Sequence, residues 1–389
     1  MTAFSLYVHI PYCDSKCPYC DFNSYAARTW PEEAYATALI REIEAGIAAD
    51  PFRSAPVATI FFGGGTPSLF EPRTIGSLLD AIARLCPLEP DVEITLEANP
   101  GTVNEERLAG FRAAGANRLS FGVRSCQPAL LEALGRRQSA DDSRAALAAA
   151  RRAGFENLSL DLIYAVPGQD LAACAADLDE AIAIAPDHVS AYNLTYEKGT
   201  AMHRELRAGR ISPAPEELEV ALFHLVRDRL AGADYDAYEI SNYARTGHAA
   251  RHNQAYWRGV PYLGVGAGAN SFSPVARPDS PPDAHGTRWE NLRDPNRYMD
   301  AIGSTGAAVA FREDLTRAQA MGEACWLGLR ESEGIDTSRF AKRFGEDLVK
   351  AFPHTGTLVD DGLVEWRGSR LALTPRGLLL ADSVFASYL

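Results

Sequence analysis

Six times between residue 4 and about residue 230, an apolar run rich in β-formers is followed by an alanine-rich segment with apolar residues at helical spacing. Parallel strands need a crossover of a dozen or more residues, and helices supply it, so this alternation leaves few architectures open. The predicted strands are 4–10, 57–62, 92–97, 117–122, 157–163 and 189–194. The segment 31–49 carries Ala36, Leu39, Ile40, Ile43 and Ile47 on one helical face. Residues 141–153 open on an acidic first turn that suits a helix N-terminus, and Gly154 supplies the stop. Six units are too few for a closed eight-stranded barrel. The expectation is therefore an α/β fold, a partial (β/α)6 barrel over residues 1–235 with its sheet left open.

Beyond the repeats the chain changes character. Residues 236–300 read as an extension, within which 273–292 hold four prolines and no periodicity, the pattern of a loop or linker. Short helices are expected over 314–350 and a hairpin over 357–373, centred on Asp360, Asp361 and Gly362. Residues 301–389 thus suggest a smaller, winged-helix-like C-terminal module.

Composition removes several function classes. The net charge of -13 is spread along the chain, so nothing attracts nucleic acid. No apolar stretch reaches 18 residues and no basic segment with an apolar run opens the chain, so a cytoplasmic protein is expected. Seven cysteines without a secretion pattern point to reduced thiols or metal ligands.

Three of the seven, Cys13, Cys17 and Cys20, fall in a CxxxCxxC spacing just after the first strand. At the carboxyl end of a parallel sheet, where ligands gather, this spacing clusters three thiolates. Iron-sulfur clusters commonly take four thiolates, so three leave one iron open. Structural zinc needs four ligands, and the nearby candidate, His9, lies within a predicted strand. Unpaired core cysteines are the other alternative.

The second strand runs into Gly63, Gly64, Gly65, Thr66 and Pro67, where missing side chains let backbone approach a ligand. A tight turn would explain the glycines equally well in isolation. Glu97 and Asp161, ending or lying in strands three and five, can accept ribose hydroxyl bonds, or serve as caps. Arg124 and Arg136 bracket a short helix and could each fork a carboxylate, unless they are simply solvated.

The cysteine spacing resembles the signature of radical S-adenosylmethionine (SAM) proteins. The wider set CDSKCPYCDFNSY, FFGGGTPS, LEANP, LSFGVRS, LGRRQ, LDLIYAVPGQ and HNQAYW resembles the oxygen-independent coproporphyrinogen III oxidase-like branch over nearly the whole chain. That resemblance implies a 4Fe-4S cluster on the cysteine triad and reductive cleavage of SAM to a 5'-deoxyadenosyl radical. It implies SAM binding by Tyr7, Tyr19, Gly64, Gly65, Thr66, Glu97, Arg136 and Asp161, to which the reading of the residues adds Arg124 as a candidate. Oxidases of this branch carry a longer N-terminal extension and a further cysteine after the triad, where this chain has twelve residues before Cys13 and places Phe22. The HNxxYW match at His252, Tyr256 and Trp257 suggests heme contact, with imidazole as a competent axial ligand, although a structural histidine is the commoner fate. Arg124, Cys126 and Asn270 stand where glutamine, phenylalanine and histidine are usual. The expected function is a heme chaperone with heme as cargo and acceptor hemoproteins and an electron donor as partners. The alternative is a radical SAM enzyme, either the decarboxylating oxidase or a methyltransferase. Contact with a membrane surface would be peripheral, and no motif argues for it.

Overall fold

The computed structural model describes residues 3–277 and 279–389. Its centre is the expected run of parallel strands: β1 (Phe4–Ile10), β2 (Val57–Gly64), β3 (Leu88–Ala98), β4 (Arg118–Arg124), β5 (Asn157–Tyr164) and β6 (His188–Asn193). They lie side by side in that order, each parallel to the next. Helices α1 (Glu32–Ile47), α2 (Pro72–Leu85), α3 (Glu105–Ala114), α4 (Ala140–Arg152), α5 (Leu171–Ile184) and α6 (Glu216–Ala231) make the crossovers and the layer behind the sheet. The acidic opening of α4 is a capping box, with Ser139 and Asp142 bonding each other's backbone N–H, and Gly154 beyond it takes a φ of +88°.

The strand period divides the two faces. Phe4, Leu6, Val8 and Ile10 are fully buried against the helices. The other face of the barrel is polar: Ser5 Oγ accepts from Thr59 Oγ1 at 2.8 Å, and Ser120 Oγ donates to Asp161 at 3.2 Å. Ligand-binding groups can therefore occupy this inner face without disturbing the apolar one.

The open sheet does not stop at six strands. The strand β7 (Tyr262–Val265) pairs parallel to β1, and β8 (Asn270–Ser273), β9 (Thr287–Asn291) and β10 (Val309–Asp314) follow antiparallel. Two short strands, Asp236–Ala237 and Asn242–Ala244, extend the edge beyond β6. The segment 273–292 is thus a linker only in part, because β9 occupies its end with Trp289 packed into the main core. Its alternation is short and sits among prolines, which hid it.

A separate, smaller core begins near Leu315. It joins α9 (Arg317–Arg330), α10 (Thr337–Phe344) and an antiparallel sheet of β11 (Ile335–Asp336), β12 (Val364–Arg367) and β13 (Arg370–Leu373). These are the elements that a winged-helix-like module calls for. The expected hairpin exists, but residues 360–362 end the helix Thr355–Asp360, and the hairpin turns at Gly368, whose φ is +62°. Asp and Gly mark helix ends as readily as turns.

Glu42 on α1 fastens the added strands to the barrel. Its carboxylate accepts from the Gly266 backbone at 2.8 Å, from Asn291 Nδ2 at 2.6 Å and from Oη of Tyr298 in α8 (Pro295–Thr305) at 2.6 Å. Glu42→Ala would leave three donors without their acceptor, so urea denaturation should show a loss of about 2 to 3 kcal/mol.

Candidate functional site

The cysteine loop leaves β1 through the short strand Tyr12–Cys13, which pairs with Tyr25–Ala26. The β2 turn is built against it, with Gly65 N donating to Ile10 O and Thr66 N to Tyr12 O, both at 2.8 Å. A Cβ on Gly65 would stand 2.6 Å from Tyr12 O, so the glycine is required by this close approach. At Gly64 the φ is +113° and a Cβ would meet the His9 ring at 2.4 Å.

Each thiol of the triad has a polar neighbour. Thr66 Oγ1 donates to Cys13 Sγ at 3.5 Å, Arg136 Nη1 donates to Cys17 Sγ at 3.4 Å, and Cys20 Sγ lies 3.7 Å from Ser24 Oγ. All three cysteines are free and half-buried. Among the described residues, no three His, Cys, Asp or Glu side chains converge on a single ion position. Three thiols spaced along one loop and facing cationic and hydroxyl donors fit a multi-iron cluster better than a lone zinc ion.

Arg136 does more than face a ligand. Its Nη2 donates to Asn99 Oδ1 at 2.7 Å and to Gly122 O at 2.8 Å, and Asn99 Nδ2 in turn donates to Thr66 Oγ1 at 3.0 Å. One chain of bonds therefore runs from the end of β4 through the loop after β3 to the cysteine loop. Asn99 is a member of this chain that sequence reasoning missed, although LEANP contained it.

The acids lie where β3 and β5 face inward. Register places Glu97 opposite Ser120, and Ser120 opposite Ser159 two residues before Asp161. Glu97 Oε2 accepts from Gly64 N at 3.1 Å. Desolvation, then the nearby Asp161 charge, push the Glu97 carboxyl up to about 7. A bulge in β4 between Phe121 and Arg124 adds a residue, and Arg124 takes a left-handed φ of +73°. Its guanidinium is thereby aimed at Asp161, 3.5 Å away. Arg124 and Arg136 thus both have protein partners, whereas the sequence suggested carboxylate forks or solvated side chains. Gly65, Thr66, Glu97, Arg124 and Asp161 line one crevice. Tyr19 lies beside it, and burial, opposed by the Arg124 charge, pushes its phenol up to about 12.

Tyr7 and His9 lie next along β1. His9 Nε2 donates to Asn23 O at 2.8 Å, which leaves Nδ1 to accept from Tyr7 Oη at 3.0 Å. Burial lowers the His9 pKa to about 4, so the ring is neutral. Tyr7, His9, the exposed Phe22, Tyr256 and Asn270 line a second cavity of about 330 Å³.

The helix α7 (Arg251–Trp257) carries the HNQAYW segment and closes the barrel at the amino ends of the strands. Glu93 of β3 accepts from the backbone N–H groups of Arg251 and His252, both at 3.0 Å, as a carboxylate at a helix N-terminus should. His252 is 1% exposed. Its Nδ1 is 2.7 Å from Thr59 Oγ1 and its Nε2 is 2.9 Å from Tyr256 Oη. Both ring nitrogens are therefore taken, so in this arrangement His252 holds α7 in place, while Tyr256 also lines the cavity beside Tyr7. Burial lowers the His252 pKa to about 3. Trp257 points elsewhere, to a cavity between α7 and the C-terminal module.

Comparison with known proteins agrees with this architecture. Residues 7–181 match the radical SAM superfamily model, and residues 315–380 match the HemN C-terminal domain. The heme chaperone HemW of Bacillus subtilis is 34% identical over 387 residues, covering 99% of both chains. HemW of Mycobacterium tuberculosis is 36% identical, covering 99% of this chain and 95% of that one. The mitochondrial radical S-adenosyl methionine domain-containing protein 1 of Bos taurus is also 36% identical over 99% of this chain. The coproporphyrinogen III oxidase HemN of Escherichia coli superposes with a TM-score of 0.83 over 100% of this chain and 90% of its own, at 24% identity. That last likeness concerns the fold.

Replacing His252 with Phe should cost about 2 kcal/mol in denaturant unfolding, because Thr59 and Tyr256 lose their partner. The circular dichroism of the folded variant should match that of the unaltered protein.

Proposed function

The chain belongs to the HemW family of radical SAM proteins, and from that membership we propose that it binds heme and passes it to acceptor hemoproteins. The observation that carries this reading is the likeness to heme chaperones of two organisms along 99% of the chain. Phe22 at the position where oxidases of the branch carry a further cysteine supports it. Cys13, Cys17 and Cys20 would hold a 4Fe-4S cluster, which supplies an electron and an open iron position to SAM. The residues around it have separable tasks. Thr66 and Arg136 donate to the thiols of Cys13 and Cys17 and orient them. Gly64 and Gly65 keep the edge of β2 free of side chains, where Tyr7 and Tyr19 flank the ligand. Glu97 and Asp161 would accept hydroxyl bonds from the ribose, with Arg124 orienting Asp161.

Because the Glu97 carboxyl sits at about 7, its ability to accept two bonds grows as pH rises through that value. SAM affinity, measured by calorimetry on reconstituted protein, should therefore strengthen between about pH 6 and 8. Glu97→Gln should flatten that dependence.

The function itself is tested on one anaerobically reconstituted preparation, titrated with heme and incubated with coproporphyrinogen III. Saturable heme binding, with transfer to an apo-hemoprotein and no turnover, is expected. Protoporphyrinogen IX formation without stable heme binding would make the protein an oxidase instead.

A further inference from the structure

A cavity of about 310 Å³ lies between the C-terminal module and the end of α7. Its floor is apolar, formed by Phe272 of β8, Ala324 of α9, and Phe340 and Phe344 of α10. Trp257 adds a flat wall, and its Nε1 is buried without a hydrogen-bond partner. Arg339 and Arg343 stand one helical turn apart on α10 at the cavity's edge, both exposed.

These two arginines differ from the others at the rim. Arg258 pairs with Glu331 at 2.8 Å, and Arg370 with Glu333 at 3.5 Å. Glu323 is held by Arg288 at 2.6 Å. Among the described residues, neither Arg339 nor Arg343 has a carboxylate partner. Arg339 donates only to the Arg258 carbonyl at 3.1 Å, and Arg343 rests over the Phe344 ring at 4.8 Å. Like charges at this spacing repel. Two unpaired guanidinia beside an apolar slot match a ligand with two carboxylates on a flat apolar body.

We propose that this cavity holds a porphyrin, its ring against Trp257 and the phenylalanines and its two carboxylates on Arg339 and Arg343. The proposal rests on the heme-chaperone reading and names the site of the cargo. The cavity is smaller than a whole porphyrin, so one edge of the ring stays outside, where an acceptor can reach it. Its lining contains no His, Cys, Met or Tyr. The iron therefore contributes little to affinity, and metal-free protoporphyrin IX should bind about as well as heme.

The test titrates heme and metal-free protoporphyrin IX into the full-length reconstituted protein, the double variant Arg339→Glu with Arg343→Glu, and Ala324→Trp, which fills the slot. Both variants should weaken both ligands roughly tenfold or more. Iron-sulfur absorbance and SAM binding should stay unchanged, and circular dichroism should match. The arginines are exposed, so their variants should fold even where Ala324→Trp does not. Unaltered affinity in the charge-reversed protein would overturn the proposal, as would binding of heme but not of the metal-free ring. Binding of neither by the unaltered protein would remove the chaperone reading and this site with it.

Discussion

The guanidinium of Arg136 ties the cysteine loop to the carboxyl ends of β3 and β4, which the sheet already holds side by side. It donates to the Gly122 carbonyl in β4, to Asn99 in the loop after β3, and to the Cys17 thiol. Through Asn99 and Thr66 the same set of bonds reaches Cys13. A loop with three cysteines has too little apolar surface to fix its own shape, so its geometry depends on these donors and on the glycine edge of β2. The planar fork of arginine can bind several acceptors in one fixed orientation, which a lysine ammonium does not do.

The parallel strands were legible because each needs an apolar run and each crossover needs a helix. The cysteine spacing and the glycine triplet were legible because they are local. What escaped were features made by contacts distant in sequence. The strands β7 to β10 are short, and they are held in the sheet by Glu42, 224 residues from Gly266 and 249 from Asn291. The position of His252 depends on Thr59, 193 residues away. Nothing in the segment HNQAYW announces that both imidazole nitrogens will be consumed. Arg124 followed the same course: the bulge that aims it at Asp161 is visible only in the pairing register.

The apolar and polar faces of the barrel strands separate stability from chemistry. Phe4, Leu6, Val8 and Ile10 meet helices and can change only at the expense of packing. Tyr7, His9, Glu97 and Asp161 face inward, where burial keeps His9 neutral and pushes the Glu97 carboxyl up. Glu97 is balanced near neutrality because desolvation and Asp161 oppose Arg124 and the Gly64 amide. The two sets alternate along the same strands, so the fold can be shared by proteins of different chemistry.

The plug formed by α7 gives the barrel a direction. With Thr59 and Glu93 bonding α7 beside the amino-terminal parts of β2 and β3, that end of the barrel is filled by protein. The carboxyl ends, where the glycine turn of β2 is built against the cysteine loop, are left to carry the chemistry.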